Sequence, residues 1–199
     1  MDLTLFFLFF LTFTSVLVLP GPNAAFAVAQ SLKYGFFSSI AVPLGFMAAT
    51  GIHAILVFSG LGFVVQKYTE ILFALKWLGV AYLLFLAFKA FSNKPSFIKA
   101  SPRVISKFEM FISAMLVSLT NPKAILASIM IYPVFISSEH PYFSQAIALL
   151  LSAMLISFSV YSLYSLVAYR LKDYLSGSKL GNKIVGSIYL GAASALASK

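Results

Sequence analysis

Leu19-Pro20-Gly21-Pro22-Asn23 interrupts an apolar run that reaches from Leu3 to about Leu32. At about 1.5 Å per residue, an unbroken helix of that length would overshoot a hydrocarbon core of about 30 Å, so the stretch predicts a broken helix. Pro20 and Pro22 bring no backbone N–H and Gly21 tolerates unusual backbone angles, so carbonyls one turn back lose their partners where bulk water is absent. Such a break survives in a bilayer only where protein or a wet cavity satisfies the freed groups, which is how transporters build substrate sites. A second break, Thr120-Asn121-Pro122-Lys123, interrupts the apolar run Phe108 to Phe135. Two breaks in matching places imply a duplicated unit.

Composition sets the solvent. The 199 residues are 61% hydrophobic and 10% charged, with mean hydropathy +0.98, against about a quarter charged in soluble domains. These values predict an all-α integral membrane protein and leave no room for a soluble catalytic module. The net charge of +9 sits in short loops between apolar spans, which reads as topology rather than as a nucleic-acid surface. With no cysteine, disulfides and thiol chemistry are excluded. Ala25-Phe26-Ala27 mimics a signal-peptidase site, but the acidic start Met1-Asp2-Leu3-Thr4 and the long apolar run argue for an uncleaved first span.

Six spans are expected within one domain, residues 1–199. Span 1 is Leu3 to about Leu32, followed by a loop Lys33-Tyr34-Gly35; span 2 is about Phe36 to Val65, glycine-rich and expected inside the bundle; span 3 is about Ile71 to Phe91. The loop at 92–107 divides repeat one (about 1–91) from repeat two (about 108–199). Span 4 is Phe108 to Phe135, span 5 is Tyr142 to Tyr169 with many serines, and a polar loop with Arg170, Lys172 and Asp173 precedes a short span 6, Ile184 to Ala197. K-x-x-G-x-x-Y-L occurs at 76–83 and again at 183–190, an offset of 107, while Pro22 and Pro122 differ by 100. Because three spans are an odd number, the second copy must enter from the opposite side, an inverted 3+3 repeat with spans 1 and 4 broken. The odd loops carry ten Lys and Arg against three on the other side, which predicts loop 92–107 in the cytoplasm and both termini outside.

The breaks read as helix starts. Asn121 is a favoured N-cap with Pro122 at the first helical position, and Gly21 and Pro22 read the same way before Asn23. Each break therefore aims a half-helix N-terminus, with unpaired N–H groups, at the bundle centre, together a cradle for a carboxylate formed by Pro20, Gly21, Pro22, Asn23, Asn121, Pro122 and Lys123. Two bland proline kinks are the alternative. Lys123, mid-span with no acid at its depth, admits two readings: it meets a substrate carboxylate, or it reaches carbonyls freed by the opposite break. His53, mid-span, is a candidate for taking and releasing a coupling proton, or a hydrogen-bonded interior histidine. No H-E-x-x-H, G-x-S-x-G or paired intramembrane carboxylate occurs, so neither an enzyme nor a metal or other cofactor is expected.

P-G-P-N at 20–23, Gly60-Leu61-Gly62, K-W-L-G-V-A-Y-L at 76–83, N-P-K at 121–123 and Pro133-Val134-Phe135 together resemble the LysE/RhtB amino-acid exporters over all six spans. The resemblance implies a prokaryotic inner-membrane exporter of amino acids or their derivatives, driven by the proton gradient, with the lipid bilayer and protons as partners and a homodimer as a possible assembly. Lysine and arginine exporters of that family carry an aspartate seven residues before a glycine in span 2, where this chain has His53 before Gly60, which leans toward neutral amino acids. A cation exporter on the same architecture and a non-transporting scaffold remain as other readings, the former lacking interior carboxylates for divalent ions.

Overall fold

Helix α1 (Leu3–Val18) begins on Asp2, whose carboxylate accepts the Leu5 N–H at 2.9 Å, a bond that also holds the Asp2 pKa below its usual value. It ends at Leu19 because neither Pro20 nor Pro22 can return an N–H to the turn before. The chain resumes as α2 (Pro22–Tyr34), bent 62° away from α1. The computed structural model describes residues 2–60, 69–92, 106–175 and 181–197, and every regular element among them is helical. After α2 come α3 (Phe36–Ser39), α4 (Ala41–Phe58) and α5 (Thr69–Ser92). Helix α6 (Lys107–Leu119) starts on Ser106, whose hydroxyl accepts the Glu109 N–H. It is followed by α7 (Pro122–Ile131), which tightens into a 3₁₀ turn (Tyr132–Phe135), and the pair is bent by 63°. Helices α8 (Tyr142–Leu175) and α9 (Gly181–Ala197) complete the order.

Phe36–Phe58 and Tyr142–Leu171 are each long and apolar enough to cross a membrane, and each bent pair qualifies when its two members count as one span. That gives two to four candidate spans among the described residues, with a shorter apolar stretch, Trp77–Phe88, inside α5. The outer surface agrees with a bilayer as solvent. On α8, Phe143, Ile147, Leu151 and Leu155, then Leu163, Val167 and Leu171, lie exposed at four-residue steps, while Gln145, Ser157 and Ser165 of the same helix are buried. A helix in water would present the reverse pattern.

Several boundaries differ from the sequence reading, each for a local reason. Lys33 and Tyr34 are helical rather than loop, and the chain turns only at Gly35, where φ is +81° and the N–H closes on the Ser31 carbonyl. Helix α4 ends at Phe58, where Gly60, at φ +84°, folds its N–H back onto Val57; residues 61–65 of the second apolar run lie outside the described residues, as do 66–68, 93–105, 176–180 and 198–199. Arg170, Lys172 and Asp173 are helical rather than loop, since nothing between Pro141 and Gly177 breaks α8. The Ser137–His140 turn is fastened from inside by Gln145, which accepts the Ser137 N–H and donates to the carbonyls of Ser137 and His140.

Helix α4 packs against α6 and α8, α8 also covers α1 and α2, and α9 packs on α5 and α2. The α4–α6 crossing is close enough that a Cβ on Gly45 would stand 2.3 Å from the Phe111 carbonyl oxygen and 2.9 Å from the Ala114 Cβ. Two apolar cores result. Phe26, Val42, Phe46, Leu83 and Tyr189 anchor one; Phe9, Phe13, Tyr132, Phe135 and Leu149 anchor the other, with Phe9 and Phe13 stacked at 5.3 Å. The two breaks lie between them. Gly45→Ala should therefore lower the thermal midpoint of the detergent-purified protein, at a cost of about 1–3 kcal/mol from overpacking. Gly191→Ala, with open space at its Cβ, should leave it unchanged or raise it. Equal midpoints for the two variants would contradict the close crossing.

Candidate functional site: the clasped helix breaks

Each bend strands the last carbonyls of its first half-helix, and the two breaks satisfy them differently. At the second, bonds within the break itself hold the carbonyls of Leu116 and Ser118. Leu116 O accepts the Thr120 N–H at 3.0 Å and its hydroxyl at 2.8 Å, and Ser118 O accepts the Asn121 N–H at 3.1 Å. At the first, partners come from distant elements: the Tyr164 hydroxyl of α8 donates to Val18 O at 2.6 Å, and the Lys123 ammonium of α7 donates to Leu19 O at 2.7 Å.

The breaks are also joined side chain to side chain. Asn121 Oδ1 accepts the Lys123 N–H at 3.1 Å, capping α7. A backbone N–H can only donate, so this bond fixes which way the amide points. Asn121 Nδ2 then donates to Asn23 Oδ1 at 2.9 Å, and Asn23 Nδ2 to Ser118 Oγ at 3.0 Å. All three residues are buried. The directional chain runs from the start of α7 to the start of α2 and back to the end of α6. The expectation of unpaired N–H groups at both half-helix starts changes accordingly. Asn121 takes the Lys123 N–H and its carbonyl takes those of Ala124 and Ile125, whereas Gly21 gives α2 no side-chain cap.

Against this clasp lies a small opening, with about 30 Å³ free to the centre of a water molecule. Phe13, Val16 and Leu17 of α1 form one wall, Thr50 and His53 of α4 another, and Asn23, Ser118, Asn121, Lys123, Ser128 and Tyr161 supply most of its polar lining. No carboxylate among the described residues lines it. The opening has room for about two waters, so an amino acid enters only when the surrounding helices move apart. His53 is 6% exposed, and its Nε2 has no hydrogen-bond partner among the described residues. Thr50 is satisfied, its hydroxyl 2.9 Å from the Phe46 carbonyl and 3.0 Å from Ser157 Oγ. Among the described residues no group of three or more His, Asp or Glu is placed to hold a metal ion.

Of the residues singled out in the sequence, Asn23, Asn121, Lys123 and His53 line this one opening. Pro22 and Pro122 are buried at the first position of their half-helices, and Gly21 lies beside the Lys123 stem, its missing Cβ 3.6 Å from Cδ. Pro20 is exposed and does not line the opening. Sequence reasoning missed Ser118, Tyr161 and Tyr164. A hydroxyl three residues before a proposed cap was the available clue for Ser118; tyrosines in an apolar helix read as packing.

The clasp is testable through Asn121. Serine is an equally good N-cap but too short to reach Asn23, so Asn121→Ser should lose only the clasp, lowering detergent-state stability by about 1 kcal/mol. Asn121→Ala should lose the cap as well and fall about 1 kcal/mol further. A Ser variant as stable as the parent chain would show the clasp to be inert.

The chain is similar to named efflux proteins over nearly its whole length. The homoserine/homoserine lactone efflux protein of Salmonella typhimurium is 29% identical over 196 residues, covering 96% of this chain and 95% of that one. The leucine efflux protein of Salmonella choleraesuis is 28% identical over 190 residues, covering 92% and 89%. An uncharacterized membrane protein of Vibrio cholerae is 26% identical over 201 residues, covering 99% and 98%. No solved structure matches the chain. The family model described as LysE type translocator matches residues 14–199, and the chain therefore belongs to this family of membrane transporters.

Proposed function

We propose that the protein exports amino acids, neutral ones or their derivatives, across a prokaryotic inner membrane, driven by the proton gradient. The observation that carries this reading is the opening itself: one space bordered by two clasped half-helix starts, the Lys123 ammonium and an apolar wall, with no acid among the described residues of its lining. A substrate carboxylate would sit between the uncapped start of α2 and Lys123, where the helix dipole and the ammonium both favour an anion. The absence of a carboxylate among the described lining residues disfavours a cationic side chain, and the relatives named for homoserine and leucine fit that preference. His53, facing the same opening with Nε2 unpartnered among the described residues, is the group we assign to the coupling proton.

The architecture we infer is a six-span inverted 3+3 repeat. Supporting it, the two bends differ by 1°, at 62° and 63°; α4 packs on α8 and α5 on α9, each expected equivalent against the other; and the two breaks meet through Asn23 and Asn121. Loop 92–107 would be cytoplasmic and both termini outside, which reporter fusions in that loop and after Lys199 read directly. Fusions reporting the reverse would overturn the orientation.

One observation favours a second reading. Lys123 already donates to Leu19 O, so it serves the fold, and a scaffold would need nothing more of it. Proteoliposomes separate the two. Loaded with labelled L-homoserine, L-leucine and a panel of other neutral amino acids, they should show efflux stimulated by an imposed proton gradient. His53→Gln should keep exchange of labelled for unlabelled substrate while losing gradient stimulation, because the amide hydrogen-bonds but does not titrate. No efflux across the panel would leave the scaffold standing; undiminished gradient stimulation in His53→Gln would remove His53 from coupling.

A further inference from the structure

We propose that Lys123 is a latch that exchanges partners: its ammonium holds the Leu19 carbonyl in the conformation described, passes to the substrate carboxylate on loading, and so releases the first helix break while the second stays closed. The proposal deepens the reading above and rests on it.

Three observations converge on this exchange. The first is the asymmetry of the breaks. At the second break, the carbonyls of Leu116 and Ser118 are held by Thr120 and Asn121, residues of the break itself, so those bonds do not depend on a distant side chain. The carbonyls of the first are held by Lys123 and Tyr164 from other elements, so its geometry depends on where those side chains are. The second is the placement of Lys123. Its backbone is fixed at the start of α7 by Asn121, while its flexible four-carbon stem runs past Gly21, where no side chain stands in its way, and the same residue lines the opening. One side chain thus borders both the internal acceptor and the space for substrate. The third is the order of acceptor strength. A bond from ammonium to carboxylate joins two ions, whereas the carbonyl offers only a dipole, so an arriving carboxylate competes favourably.

The exchange has a structural consequence. Once Lys123 leaves, Leu19 O needs another donor, and in a bilayer that donor is water admitted by opening the break to an aqueous side. Loading and opening are then linked, because the substrate gains its bond to Lys123 only in the state that frees Leu19. Tyr164 on Val18 O, one residue earlier, makes that end of α1 the pivot.

The chain has no native cysteine, so spin labels on introduced cysteines report distances directly. Leu11→Cys with Met130→Cys measures α1 against α7, and Phe108→Cys with Met130→Cys measures α6 against α7; all three positions are exposed. In liposomes, L-homoserine or L-leucine should create a second distance population for the first pair and leave the second pair unchanged. Lys123→Met should show that second population without any amino acid, and Lys123→Arg, which keeps a charged donor, should remain largely in the first. A Lys123→Met distribution identical to the parent's overturns the latch, as does an equal change in both pairs. If amino acids are exported and Lys123→Met leaves the first pair unmoved, the latch falls and the export reading stands. If no amino acid moves either pair and none is exported, yet Lys123→Met does shift the first pair, the release of the break stands and the export reading falls.

Discussion

A peptide carbonyl without a donor is costly anywhere in a protein, and most costly where the surroundings are hydrocarbon. Pro22 has no N–H to give Val18, and the bend carries the Asn23 N–H away from Leu19; much of the central arrangement can be read as the answer to these two carbonyls. Tyr164 has to lie where α8 crosses the end of α1, and the start of α7 has to come within one lysine's reach of Leu19. These two bonds tie two distant stretches of chain, α7 and α8, to one pair of oxygen atoms at the end of α1. At the second break the carbonyls of Leu116 and Ser118 are held locally, by Thr120 and Asn121.

From that constraint the interior acquires its polarity. Asn23, Ser118 and Asn121 are almost fully buried and form one directional chain of donors and acceptors, set by the Lys123 N–H at one end. Helices in a bilayer gain little from burying leucine against leucine, since lipid offers the same surroundings; they associate through small residues and polar bonds. The chain follows that rule, with Gly45 pressed on the α6 backbone, Gly186 on the Phe91 ring, and large apolar side chains of α1 and α8 turned outward. The opening beside the clasp is where the polar interior and the apolar wall of α1 meet.

Much of this was legible in the sequence because proline acts locally. A missing N–H at Pro20, Pro22 and Pro122 breaks a helix whatever surrounds it, so the breaks, the caps at Gly21 and Asn121 and the helical class followed from residue chemistry. The glycine ends were harder. Gly35 and Gly60 stop their helices through positive φ, and among glycines scattered through an apolar run nothing local marks the two that do so. Partners were hardest of all. Tyr164 and Val18 are 146 residues apart, and a tyrosine on a serine-rich helix carries no local mark of the carbonyl it serves. Lys123 lay between these cases: its mid-span position signalled a special role, and the alternative that it reaches a freed carbonyl matches the bond to Leu19.

The account stands on the two breaks forming one unit. A double-mutant cycle on Asn23→Ala and Asn121→Ala, read as unfolding free energy in detergent, measures that union with few assumptions. If the amides bond each other across the breaks, the two losses should fail to add, with a coupling of about 1 kcal/mol. Losses that sum to within about 0.3 kcal/mol would show two independent kinks, and with them the clasped site would go.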